Sequence, residues 1–406
     1  LVFLQFETVG FLYFAFELYP VSLGTMKIPF NKPLTLGGEI DNIVGVLENH
    51  KLTEGQFVRN CETWFKENNM CKEVFLTPSC TSALEMAMLL IGIEPGDEVI
   101  LPSFTFTSSA TSIVLMGGVP VFVDCRSDTL NINEDLIEAA ITKKTKAIMP
   151  VFYAGYPCDV DRVVKIADQH GIPVVADAAQ AIGSYYKNKP LTSYFQMSAL
   201  SFHETKNITC GEGGALCLND EEFSSKARIV KDKGTNRQEF LHGMVDKYSW
   251  KDKGSSYLIS ELQAAYLLTQ LQKLDLITNK RIELWNNYHA NLQPLEDEKK
   301  IKRPVYADDR KHSGHLYYIL LNTKKEREEL QKYLSADGIH AFPHYVPLHD
   351  SDAGQRFGRA GSSMEVTHDI FSRLLRLPMY FDLNHDQQVR VVEKIYNFFN
   401  SKGPSR

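Results

Sequence analysis

From Val74 onward the chain repeats one alternation: a short apolar run ending at a polar or turn residue, then a stretch with apolar residues at helical spacing. Glu98–Pro102, Pro120–Asp124, Ala147–Phe152 and Pro173–Asp177 are predicted as strands, and Ser82–Leu90, Asn133–Ala140 and Val160–His170 as the helices between them. Asn131 or Asn133, and Asp159, are placed to cap two of those helices. Strands that read apolar throughout are buried on both faces, so the pattern predicts an α/β fold with a mainly parallel sheet covered by helices.

After Gly211-Glu212-Gly213-Gly214 the pattern changes. Phe223–Lys231 is predicted as a helix, Lys231–Ser256 as a long polar loop and Ser260–Trp285 as one long helix. Beyond about Asn286 a smaller α+β unit is expected, with strands at Leu316–Leu321 and Leu375–Pro378 and helices at Lys325–Gly338 and Asp386–Phe399. The expected division is therefore a large domain over 26–285 and a small one over 286–406. Residues 1–25 are apolar and aromatic, yet they lack Lys or Arg and are interrupted by Glu7 and Glu17, so they fit neither a secretory signal nor a membrane span. Met26 reads as a native start, and the preceding segment as an extension outside the fold.

Among 406 residues the net charge is −6, and no basic block occurs, which argues against nucleic acid or a membrane as partner and for small molecules. Seven scattered cysteines form no CxxC pair and suit the reducing cytoplasm. No histidine is spaced to activate Cys80 or Cys210, so both read as small turn residues.

The chemistry concentrates in two strings. Val174-Val175-Ala176-Asp177-Ala178-Ala179-Gln180 is an apolar strand ending in a carboxylate, and Ser201-Phe202-His203-Glu204-Thr205-Lys206-Asn207 puts a lysine on a polar turn before the glycine cluster. Such a lysine suits a Schiff base to pyridoxal phosphate, and such a carboxylate keeps a pyridine nitrogen protonated so that the ring accepts electrons. Taken alone, Asp177 reads first as a helix cap and Lys206 first as a merely solvated side chain. Two further segments shift that balance. Thr77-Pro78-Ser79-Cys80-Thr81-Ser82 offers hydroxyls and N–H groups at a helix start, where a phosphate binds, and Phe104 and Phe106 stand just after a strand, where a ring can stack.

With these motifs, almost the whole chain after Met26 resembles the DegT/DnrJ/EryC1/StrS nucleotide-sugar aminotransferases. The resemblance implies the fold type I, aspartate aminotransferase-like architecture of pyridoxal phosphate enzymes. Residues 201–207, Gly211–Gly214, Lys233-Gly234-Thr235-Asn236-Arg237, Asp246–Trp250 and Gly254–Leu258 are similar to one branch in particular. That branch converts dTDP-4-keto-6-deoxy-D-glucose to dTDP-4-amino-4,6-dideoxy-D-galactose with L-glutamate as donor, in enterobacterial common antigen or O-antigen synthesis.

The resemblance also implies roles. Lys206 is the catalytic lysine that carries the cofactor and moves the proton, Asp177 pairs with the pyridine N–H, Gln180 contacts the phenolic oxygen and Phe106 stacks. Cys80, Thr81 and Ser201 surround the phosphate. Ser256 stands where many relatives donate an asparagine across a homodimer, and Arg237, His315, His344 and His349 are candidate substrate contacts. The histidines lack a compact ligand spacing, so no metal is expected. The alternatives are an aminotransferase for another 3- or 4-keto nucleotide sugar, a sugar dehydratase, against which Lys206 argues, and a cofactor-binding regulator.

Overall fold

The computed structural model describes residues 27–241 and 243–401; the expectation for 1–25 falls outside them. Two four-stranded sheets lie side by side, one in the order Glu73–Thr77, Gly214–Leu218, Met197–Ser201, Val175–Asp177, the other Arg359–Ala360, Val119–Val123, Glu98–Pro102, Thr145–Ile148. Parallel bridges Ile148↔Val174 and Val151↔Asp177 join them into one sheet. Within it only Gly214–Leu218 runs against its neighbours.

Alternation along each strand feeds two cores. Val74, Leu76, Ile100, Val121, Val123 and Leu200 enter the core on one face, and Phe75, Val99, Leu101, Phe122, Met197 and Ala199 that on the other. Each such side chain contributes about 1.5–3 kcal/mol by leaving water, so a one-residue slip in register would exchange every member of both cores. The helices behave as their sequences direct: Asp159 Oδ1 accepts from Arg162 N at 3.2 Å to start Val160–His170, and Gly171 closes it in the left-handed conformation.

A second sheet, Ile301–Lys302, Tyr317–Leu321 and Leu374–Leu377, is wholly antiparallel. Ile319, Leu321, Leu375 and Leu377 face a separate core shared with helices Lys324–Ala336 and His385–Ser401, and Ile28 joins it through a bridge to Ile339. The other face, with Tyr318, Leu320 and Leu374, packs against Phe104 and Tyr153. This seats the small sheet over the carboxyl ends of the large one.

Three expectations need amendment. Ser260–Trp285 is two helices, Glu261–Gln272 and Leu274–Asn291, broken at Lys273, whose φ of −111° and ψ of 15° leave the helical region. The break lets the first helix pack on Gly38–Glu48 and Gln56–Glu67 while the second carries Leu284, Trp285 and Tyr288 into the small-sheet core. The segment 133–140 is a 3-10 turn capped by Asn133 followed by one helical turn, and the polar loop contains the short helix Arg237–Leu241. No helix among the described residues is long and apolar enough to cross a membrane.

Candidate active site

Parallel strands present their carboxyl ends at one edge of the sheet, and ligands settle there. At that edge a cavity of about 620 Å³ is lined by Cys80, Thr81, Phe106, Asp177, Gln180, Ser201, Lys206, His315, His344 and Arg376, among others. That volume lies in the range that holds a cofactor with a substrate.

Asp177 ends its strand fully enclosed. Its Oδ2 accepts from Ser109 Oγ at 2.7 Å and its Oδ1 from Ala179 N at 3.1 Å, yet no cationic side chain among the described residues pairs with it. Burial pushes its carboxyl above the ordinary range, with the Ser109 bond, the Ala179 N–H and Lys206 pulling it back. A buried carboxylate in this state is stabilised by a cation brought in from outside.

Lys206 follows Ser201 through a tight loop in which Lys206 N donates to His203 O at 2.9 Å and Cys210 N to Phe202 O at 3.0 Å. Its half-buried amine lines the cavity and makes no hydrogen bond or ion pair among the described residues. Desolvation pushes the amine below the ordinary lysine value; Cys80 and Asp177 oppose this and Arg376 reinforces it. The next residue locks the loop: Asn207 Nδ2 donates to Ser313 O at 2.8 Å, and its Oδ1 faces His315 Nδ1 at 2.9 Å. With Asn207 oxygen as the acceptor, His315 carries its proton on Nδ1 and keeps Nε2 as a lone pair. Burial holds that ring well below the usual histidine range, hence neutral.

The helix Cys80–Ile91 starts at the cavity, capped by Ser79 Oγ, which accepts from Ser82 N at 3.0 Å. Thr81 Oγ1 meets Ser108 Oγ at 2.7 Å. A Cβ on Gly214 would lie 2.4 Å from Cys80 N and 2.4 Å from Ser79 C, so only glycine lets the antiparallel strand pass this close to the helix start. Burial pushes the Cys80 thiol well up, away from the thiolate a nucleophile needs.

Across the cavity Gln180 is oriented at both ends: its Oε1 accepts from Ala154 N at 2.7 Å, and its Nε2 donates to Tyr345 OH at 3.0 Å. His344 stacks on Tyr345 with centroids 3.5 Å apart and meets Tyr153 OH at 3.1 Å. Phe106 stands at the rim, 58% exposed. Arg376, which sequence reasoning did not single out, donates to Pro343 O at 3.0 Å and lies 4.6 Å over the Phe30 ring. Its Nε has no partner and no carboxylate pairs with it among the described residues. The available signal was an arginine inside the apolar run Leu374–Leu377.

Three named candidates stand elsewhere. Arg237 is held by Glu54 at 2.9 Å and Asp232 at 3.3 Å, beside a different surface cleft. His349 is turned to Ser103 and His368, and exposed Ser256 bridges Asp232. None of the three lines this cavity. The groups that do line it match a ligand with a basic aromatic nitrogen for Asp177, a phosphate for the helix start at Cys80 and Thr81, and a carbonyl for the Lys206 amine.

Residues 37–396 match the DegT/DnrJ/EryC1/StrS aminotransferase family. The chain is 34% identical over 386 residues to the spore coat polysaccharide biosynthesis protein SpsC of Bacillus subtilis (strain 168), covering 91% of this chain and 96% of that one. Spr1654 of Streptococcus pneumoniae, solved in a PLP form, superposes with a TM-score of 0.85 at 26% identity, covering 93% of this chain and 99% of that one. PseC of Helicobacter pylori, an aminotransferase involved in the biosynthesis of pseudoaminic acid, gives 0.84 at 27% identity, covering 93% and 100%.

Proposed function

The chain belongs to the DegT/DnrJ/EryC1/StrS aminotransferase family and is a pyridoxal phosphate enzyme of fold type I; from that premise we propose that it transaminates a 4-keto-6-deoxy nucleotide sugar. In this reading dTDP-4-keto-6-deoxy-D-glucose becomes dTDP-4-amino-4,6-dideoxy-D-galactose, L-glutamate supplies the amino group, and the product enters cell-surface polysaccharide. The observation that carries the reading is one cavity holding both a Lys206 amine and an Asp177 carboxylate, neither with an ion-pair partner among the described residues. The choice of sugar rests on residues 201–207, 233–237, 246–250 and 254–258. The polysaccharide role in the name of SpsC is in keeping with it.

Bound pyridoxal phosphate supplies an electron-accepting ring and a carbonyl through which amino groups exchange. Asp177 would hold the ring nitrogen protonated, and the raised affinity of this buried carboxyl for protons is relieved by that cation. The Ser79–Thr81 helix start and Ser201 would bind the phosphate, Phe106 would cover the ring, and Gln180 would face its phenolic oxygen. Lys206 would hold the cofactor through its amine and, once freed, its Nζ would be the group that accepts and delivers protons at Cα of glutamate and at C4 of the sugar, a task suited to an amine whose proton affinity desolvation has lowered. Arg376, which lines the cavity with no carboxylate partner among the described residues, is matched to a glutamate carboxylate by the charge and planar shape of its guanidinium. His315 Nε2 is matched to a sugar hydroxyl as an acceptor.

The same reading has residues 286–406 act as a small domain and the enzyme work as a homodimer in the cytoplasm. The exposed Leu241, Met244 and Trp250 on the polar loop are in keeping with a partner subunit there. Incubation with L-glutamate and a set of keto-sugar nucleotides, with products identified by NMR, tests the assignment. Turnover of other keto sugars without the 4-keto-6-deoxyglucose nucleotide would overturn the substrate; no amino transfer from glutamate to any of them would overturn the activity.

A further inference from the structure

Away from the cavity, His349, Asp350 and His368 bring three ligand-type atoms within 4.8 Å of one another. His349 Nε2 lies 3.2 Å from His368 Nε2 and 3.4 Å from Asp350 Oδ1, and His368 Nδ1 lies 3.2 Å from Asp350 Oδ2. Donors at about 2.0–2.1 Å from a tetrahedral ion are separated from each other by about 3.3–3.4 Å. The two separations from His349 Nε2, 3.2 Å and 3.4 Å, lie close to that spacing.

His349 is also held from behind. Its Nδ1 lies 2.6 Å from Ser103 Oγ, which in addition accepts from His349 N at 3.1 Å. With Nδ1–H given to Ser103, Nε2 turns its lone pair toward the other two residues, the arrangement that supporting hydroxyls and carbonyls impose on metal-bound histidines. The His349 side chain is 12% exposed while those of Asp350 and His368 are 46% and 50% exposed, so the cluster is walled on one side and open to water on the other.

We propose that His349, Asp350 and His368 bind a divalent cation, Zn²⁺ or a first-row neighbour of similar ligand preference, with water completing the shell. Two imidazole nitrogens and one carboxylate favour such an ion over Mg²⁺ or Ca²⁺, which take oxygen ligands. The role is structural, because none of the three residues lines the cavity. The ion would tie the turn Leu348–Asp350, which follows His344 and Tyr345, to the helix Glu365–Arg373, which leads into Arg376. Ser103, at the end of the strand that runs on to Phe106, backs the same point. Three segments that deliver cavity side chains would thereby be fastened together from outside it.

The test is calorimetric titration of the chelator-treated, desalted holoenzyme with ZnCl₂, repeated on His368→Gln and Asp350→Asn. The wild-type protein is expected to take up one equivalent per chain and to melt at a higher temperature with zinc. Each variant is expected to bind at least about tenfold more weakly, to gain no melting temperature from zinc, and to keep the visible spectrum of its bound cofactor. Melting without zinc separates loss of the site from loss of the fold. No uptake by the wild-type protein, or equal uptake by both variants, overturns the proposal.

Discussion

Replacing Gly214 by alanine tests whether the start of the helix Cys80–Ile91 holds the cofactor phosphate. The added Cβ would stand 2.4 Å from Cys80 N, 2.4 Å from Ser79 C and 2.5 Å from Ser79 O, all backbone atoms with no rotamer to yield. Ordinary contact needs about 3.4 Å or more, so strand and turn must part by about 1 Å, at a cost of about 1–3 kcal/mol for overpacking. The displaced residue is the cap itself, tied to Ser82 N at 3.0 Å and through its carbonyl to Thr77 Oγ1 at 2.8 Å. A shift of that size in an anion cradle should weaken cofactor binding at least about tenfold, or about 1.4 kcal/mol. Gly211→Ala is the control: Gly211 has φ +84° and nothing within 4 Å of a new Cβ, so it pays backbone strain of about 1–2 kcal/mol without pushing on Ser79. Both variants should therefore lose stability in urea, while only Gly214→Ala should need more pyridoxal phosphate to restore the visible absorbance of the apoenzyme. Wild-type cofactor affinity in Gly214→Ala would refute the placement of the phosphate.

Lys206→Ala should lower turnover by at least about a thousandfold yet change unfolding stability by less than about 1 kcal/mol, since its amine has no hydrogen-bond or ion-pair partner among the described residues to lose. Retained amino transfer in a product assay would remove Lys206 from the mechanism. Arg376→Ala should raise KM for glutamate at least about tenfold, from the loss of a charged hydrogen bond; a rise confined to the nucleotide sugar would reassign the arginine. Glu98 accepts from Arg359 Nε at 2.9 Å and Nη2 at 2.8 Å, and this pair holds its carboxyl below the ordinary glutamate value. Its stabilisation is complete above that ordinary value, about pH 4.3, and is lost as pH falls through the lower folded value. Glu98→Gln should thus lessen the acid-induced loss of stability between pH 5 and pH 3, by under about 1 kcal/mol because Arg359 is partly exposed; an unchanged acid profile would discount the pair.

The site was legible where chemistry and chain lie together. Asp177 ends a run of apolar residues, Lys206 precedes a glycine cluster, and each string carries its meaning locally. Arg376 carried only a faint signal, its place inside the apolar run Leu374–Leu377, because an arginine in a strand becomes informative only once the fold shows no acidic partner for it among the described residues. The break at Lys273 was equally hidden: no glycine or proline marks it, and the two helices diverge because they pack on different cores. Gly214–Leu218 is not among the strands predicted from sequence, and its reversed direction comes from pairing with Glu73–Thr77 and Met197–Ser201, which lie far apart in sequence.

Asn207 makes the position of the lysine a property of two remote parts of the chain. One amide grips Ser313 and His315 at once, 106 and 108 positions away, while its own backbone follows Lys206 directly. Transplanting the loop 202–210 into another scaffold would carry the amine but not its bearing. A protein engineer altering the reach of Lys206 would have to recut the 313–315 segment in the same design, and an adaptive path that moved one without the other would pass through enzymes with a misaligned nucleophile.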